Sequence, residues 1–164
     1  MSAKAGGVIR PGDADAELAL RKSIELSGGQ YAEPLFALGA VLAKGEKFSE
    51  SEGVLREALN LNPTTWAGHY CLGWVLFSMN RFQEAEKSAH EALRLKSDSP
   101  EAYLLLANIQ QREHDTAAFL KDLDEYLKLV PNGRNKAKIQ ALRDNAERVI
   151  VESPSASAFV QPDP

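Results

Sequence analysis

The sequence predicts an all-α fold of stacked helical pairs, and three observations carry that expectation. Two 34-residue segments align without a gap, "AEPLFALGAVLAKGEKFSESEGVLREALNLNPTT" from Ala32 and "WAGHYCLGWVLFSMNRFQEAEKSAHEALRLKSDS" from Trp66, and a third follows at the same spacing from Pro100. Within them apolar and small residues recur at i, i+3, i+4 and i+7, as in Leu35, Leu38, Gly39 and Leu42, the period of a helix with one buried face. With 164 residues, 44% of them apolar and 26% charged, the chain is long enough for one domain with a sizeable core.

The elements follow in order. Residues 1–12, "MSAKAGGVIRPG", are small and Gly-containing and are expected to be flexible. Residues 13–31 hold "ELALRKSIELSGGQ", which matches the second helix of a pair with no first helix before it, as expected of a chain cut from a longer array or a larger protein. Full units are expected at 32–65, 66–99 and 100–133, each of two helices of about fourteen residues. In each first helix Leu38, Leu72 or Leu106 is followed by Gly39, Gly73 or Ala107, whose small size lets the two axes of a pair approach closely. A polar turn, "KGEK" or "SMNR", leads into the second helix, and Ser49 and Glu52 have capping-box spacing. Ser99 before Pro100 fits an N-cap followed by proline at the first helical position, and His114-Asp115 reads as a turn and cap.

The third unit departs from the pattern. Phe119 and Tyr126 stand where Ser51/Ala85 and Ala58/Ala92 stood, Thr116 replaces an aromatic, and Gln110 replaces Leu42/Leu76. Wider packing is expected there, with the rings turned toward a capping helix at 134–152 whose Ile139, Leu142, Ala146 and Val149 form a stripe. The Pro- and Ser-rich tail 153–164 is expected to be flexible, and its Phe159-Val160 pair could fold back over the repeats.

This pattern resembles the tetratricopeptide repeat family: Leu-Gly in the first helix, Phe48 and Phe82 at the start of the second, Ala58 and Ala92 within it, and a closing Pro63 or Pro131. The resemblance covers Ala32 to Gly133 as three units and implies a right-handed α-solenoid acting as a non-enzymatic module that binds a protein or peptide. It also implies a concave groove lined by the second, fifth, ninth, twelfth and thirteenth residues of each unit. Those are Glu33, Phe36, Ala40, Ala43 and Lys44, then Ala67, Tyr70, Trp74, Phe77 and Ser78, then Glu101, Leu104, Asn108, Gln111 and Arg112. The family's carboxylate clamp needs Lys at the fifth and Asn at the ninth position of the first unit, where this chain has Phe36 and Ala40.

The candidate groove is drawn from Phe36, Tyr70, Trp74, Phe77, Leu104, Asn108, Gln111 and Arg112. Tyr70, Trp74 and Phe77 share a helical face distinct from that of Leu72, Gly73 and Leu76, so the middle first helix is apolar nearly all round and wants cover on both sides. Ordinary core packing, a bound peptide and self-association are the three covers open to it. The alternative to a binding module is a structural or oligomerising segment of a larger protein, with its groove filled by its own chain or a second copy.

Catalytic constellations, cofactor loops and metal motifs are absent from the sequence, so no enzyme activity, cofactor or metal is expected. His69 and Cys71 are two apart on a helix and point to different faces. A formal charge of −4 argues against general nucleic-acid binding, and no apolar run approaches the roughly 18 residues of a membrane span. The basic set Arg134, Lys136, Lys138, Arg143 and Arg148 reads as a solvated outer face, with a surface for an acidic partner or lipid headgroups as the alternative.

Overall fold

The structure, a computed structural model, describes residues 11–152. The tail expected at 153–164, with its Phe159-Val160 pair, lies outside them, as does the first segment up to residue 10. Among the described residues the chain is all helix: α1 (Pro11–Leu26), α2 (Ala32–Lys44), α3 (Phe48–Leu61), α4 (Trp66–Ser78), α5 (Phe82–Leu95), α6 (Pro100–Glu113), α7 (Thr116–Leu129) and α8 (Lys136–Glu152). The fold class is the all-α helical repeat that the 34-residue period predicts. α1 begins at Pro11, two residues before the boundary expected at 13, because proline at a first helical turn forfeits only an N–H that has no intrahelical partner.

The chain divides into two compact units, Met1–Ala102 and Tyr103–Pro164, and the division falls inside α6. In the first unit α2 pairs with α3 and α4 with α5. Leu35, Leu38, Leu42, Leu55, Ala58, Leu72, Val75 and Leu76 are buried there, with Ala85, Ala89 and Ala92 of α5. The Leu-Gly frame works by close approach. Ser51 donates its hydroxyl to the Gly39 carbonyl at 2.7 Å, and a Cβ placed on Gly39 would lie 2.6 Å from Cγ and Cδ2 of Leu55. In the second unit Ala107, Phe119, Leu123, Tyr126 and Ile139 are buried together, and Leu142 and Ala146 pack on them. Val149, expected in that stripe, is instead 56% exposed, since its turn of α8 runs past the cluster.

Each turn from first to second helix places a non-glycine residue in the left-handed region: Glu46 (φ 60°), Asn80 (φ 61°) and His114 (φ 61°). The next amide reaches back to close the turn, Lys47 to Leu42 O at 2.9 Å, Arg81 to Leu76 O at 2.9 Å and Asp115 to Gln110 O at 3.0 Å. Gly45 in "KGEK" does not supply this conformation (φ −81°). The capping box expected from Ser49 and Glu52 is not formed. α3 starts one residue earlier, Lys47 is its N-cap without a side-chain bond, and Glu52 is held by Arg56 and Arg81. Ser99 and Asp115 do cap: Ala102 N donates to Ser99 Oγ at 3.4 Å and Ala118 N to Asp115 Oδ1 at 2.9 Å.

An ion-pair network recurs along the second helices. Glu17 takes Arg21 one turn on and Lys47 of the next turn segment, while Arg21 reaches Glu50 at 2.8 Å. Glu52, Arg56, Arg81 and Glu84 repeat the arrangement, with Arg81–Glu52 at 2.6 Å and Arg56–Glu84 at 3.3 Å. One repeat further on, the matching positions hold Glu86, His90, Asp115 and Ala118, where only His90, 3.8 Å from Glu86, is able to carry a positive charge.

Candidate functional site

Small residues on α2 facing large ones on α4 leave a concavity in the first unit. Ala40 and Ala43 of α2 form one side and Tyr70, Cys71 and Trp74 of α4 the other, with Lys44 at the rim, around a cleft of ≈ 290 Å³. That volume is near the lower end for a ligand site, about 300–1,000 Å³, and suits one bulky side chain. Trp74 is 37% exposed, and its ring and that of Phe48 lie edge to face with centroids 5.8 Å apart, a contact that holds the indole in place.

The polar groups at this cleft are few. Lys44 Nζ is bound to Asp13 Oδ1 of α1 at 2.6 Å, so the ammonium at the rim is already paired. Burial pushes the Tyr70 phenol up, with the charges of Cys71 and Glu101 adding to it, and burial alone pushes the Cys71 thiol up. Cys71 is therefore a neutral thiol at neutral pH and a poor nucleophile. His69 lies on the other side of α4, in a cleft of ≈ 400 Å³ with Arg56, Asn60, Lys87 and Glu91, and its Nε2 is 2.8 Å from the Pro63 carbonyl. Among the described residues no group of three or more His, Cys, Asp or Glu is placed to hold a metal ion. No described helix is long and apolar enough to cross a membrane.

Of the eight residues singled out by sequence, Phe36, Tyr70, Trp74 and Phe77 belong to the first unit and the other four to the second. Tyr70 and Trp74 share the cleft. Phe77 is half-buried and packs on Phe82 of α5 with ring centroids 5.7 Å apart. Phe36 lies against α4 at Gly68, where any Cβ would collide with its ring, so it serves as packing between first helices. In the second unit Leu104 packs on the core cluster, while Asn108, Gln111 and Arg112 are exposed on α6. Ala40, Ala43 and Lys44 line the cleft although the eight omitted them; their position in the repeat was the signal. Of the basic set, Arg143 is spent on Asp124 (2.5 Å) and Glu147 (2.8 Å), and Arg134, Lys136 and Lys138 are exposed.

Comparison with known proteins agrees with this architecture. Residues 66–99 match the family model described as tetratricopeptide repeat. The chain is similar to the tetratricopeptide repeat-containing protein trd-1 of Caenorhabditis elegans, 30% identical over 107 residues, which is 65% of this chain and 14% of that protein. It thus spans about a seventh of that relative's length. Among solved structures, MamA (41-end) from Desulfovibrio magneticus RS-1 superposes with a TM-score of 0.70 at 16% identity, covering 91% of this chain and 89% of that one. The first such domain of Spaghetti (RPAP3), bound to an HSP90 peptide, gives 0.68 at 18% identity over 74% and 94% of the two chains. The TPR2B domain of yeast Sti1, in complex with an Hsp70 peptide, gives 0.66 at 20% over 72% and 97%.

Proposed function

We propose that this chain, which carries a tetratricopeptide repeat and the fold of that family's solenoids, is a non-enzymatic module that binds a segment of a partner protein through the Ala40–Trp74 cleft. The observation that carries the reading is Trp74 itself: its ring is braced by Phe48, faces an alanine-floored concavity and keeps a third of its surface in water. Similar folds have been solved with HSP90 and Hsp70 peptides bound, which supports a peptide as the kind of ligand. The anchor differs from a carboxylate clamp. Phe36 and Ala40 stand where that clamp has cations and amides, and the one ammonium at the rim is paired with Asp13. An apolar or aromatic side chain is the better fit for the cleft, with the Tyr70 hydroxyl available to a backbone carbonyl.

The energetics set the strength. Burying one large side chain yields about 1.5–3 kcal/mol, against an association cost of roughly 4–15 kcal/mol. A short peptide anchored only here binds at micromolar strength or weaker. The test is a displayed peptide library panned over the protein, followed by titration of enriched peptides against Trp74 fluorescence in a Trp66→Phe background. The expected result is apolar-anchored peptides that shift Trp74 emission and lose about tenfold or more in affinity, roughly 1.4 kcal/mol, on Trp74→Ala while the melting temperature falls only slightly. Binding that is indifferent to Trp74→Ala and Ala40→Leu would remove the cleft from the reading.

A further inference from the structure

α1 aligns with the second helices α3 and α5, and no helix precedes it among the described residues. Aligned on the ion-pair network, with Glu17 on Glu52 and Arg21 on Arg56, its Ala16, Leu20 and Ser23 fall on Ser51, Leu55 and Ala58, which are buried in α3. Here Ser23 is exposed, and an open trough of ≈ 710 Å³ runs beside it between α1 and the start of α2. Leu26 (80% exposed), Leu18 (71%) and Tyr31 (62%) are the most exposed large apolar side chains among the described residues, and all three belong to α1 or the segment that follows it. Lys22 and Glu33 line the same trough, and neither has an ion-pair partner among the described residues.

We propose that this face is a self-association surface, covered by the same face of a second copy of the chain. A two-fold axis passing between Lys22 and Glu33 sets each Lys22 opposite Glu33 of the other copy and brings the Leu26 and Tyr31 groups together, so the patch is complementary to itself in charge and in apolar content. Two salt bridges then flank an apolar centre, the arrangement of a buried core within a polar rim. The surface is distinct from the Ala40–Trp74 cleft, and the pairing leaves that cleft open.

Sedimentation velocity on the full chain over a range of concentrations tests the proposal. A monomer–dimer equilibrium is expected, abolished by Leu26→Glu with the melting profile of the dilute protein unchanged, since Leu26 makes little contact within the monomer. Lys22→Glu and Glu33→Lys should each weaken the dimer by about tenfold, and the two together should restore it, because the exchange re-creates both bridges. A chain that stays monomeric at every concentration overturns the proposal, as does a dimer that Leu26→Glu leaves intact or a charge exchange that fails to restore pairing. So does a monomer that associates only after residues 1–10 are removed, which would make that segment the occupant.

Discussion

Gly39 and Gly53 lie in the two helices of one pair, and a methyl group added to each acts with opposite sign. On Gly39 it would stand 2.6 Å from the fully buried Leu55 side chain, which has nowhere to move, so Gly39→Ala should cost about 1–3 kcal/mol through overpacking. Around Gly53 nothing lies within 4 Å, so Gly53→Ala should stabilise by roughly 0.5–1 kcal/mol by removing backbone freedom from the unfolded chain. Thermal melts of the two variants check the pair, and equal shifts would refute the close-approach role of the Leu-Gly frame. That role was legible because Gly39, Gly73 and Ala107 recur every 34 residues. The seat of Phe36 on Gly68 was not, because Pro34 and Ala102 stand at the matching positions and a periodic reading is blind to a contact made once.

Between elements, the charges follow a rhythm that a strict 34-residue comparison misses. Glu17 and Arg21 precede Glu52 and Arg56 by 35 positions, whereas Lys47 and Glu50 precede Arg81 and Glu84 by 34, since the link "SGGQY" between α1 and α2 is one residue longer than "NPTT" between α3 and α4. Glu52 was therefore read as half of a capping box rather than as the hub between Arg56 and Arg81. Its carboxyl is pushed up by burial, but the hydrogen bonds from Arg81 and Arg56 outweigh that and hold it below the ordinary range. Lys47 and Arg21 do the same for Glu17, and Arg81 for Glu84. Carboxylates depressed in the folded state contribute stability that is fully present above their unfolded pKa, about 4.3, and is lost as pH falls through the folded value. The melting temperature should thus be flat above about pH 5 and decline steadily below it. Glu52→Gln should lower it by about 1–3 °C at neutral pH and make the acid decline shallower, a small effect because the arginine partners stay partly in water. A Glu52→Gln profile parallel to wild type down to acid would show that the network contributes nothing.

At the scale of the whole molecule, the helix count and the helical-repeat class were readable from periodicity, while the division inside α6 was not, because it depends on how side chains of unequal size settle. Its sequence correlate is the third unit's exchange of small residues for Phe119 and Tyr126. Those rings are buried with Leu123 against Ile139 of α8, and Arg143 Nε on α8 reaches Asp124 Oδ1 of α7 at 2.5 Å. α8 is therefore one wall of the second core, and its other face is exposed. Removing residues 134–164 should strip cover from Phe119, Leu123 and Tyr126 at once, exposing a contiguous apolar face with no alternative cover in α7. The expected outcome is dye-binding hydrophobic surface, loss of amide protection in α7 and concentration-dependent aggregation. Ile139→Ala gives the graded version, about 2–4 kcal/mol for a buried branched side chain, read in the exchange of α7 and α8 amides. A truncated chain that stays monodisperse with α7 still protected would show that the Phe119–Tyr126 cluster holds without α8, and the capping role would fall.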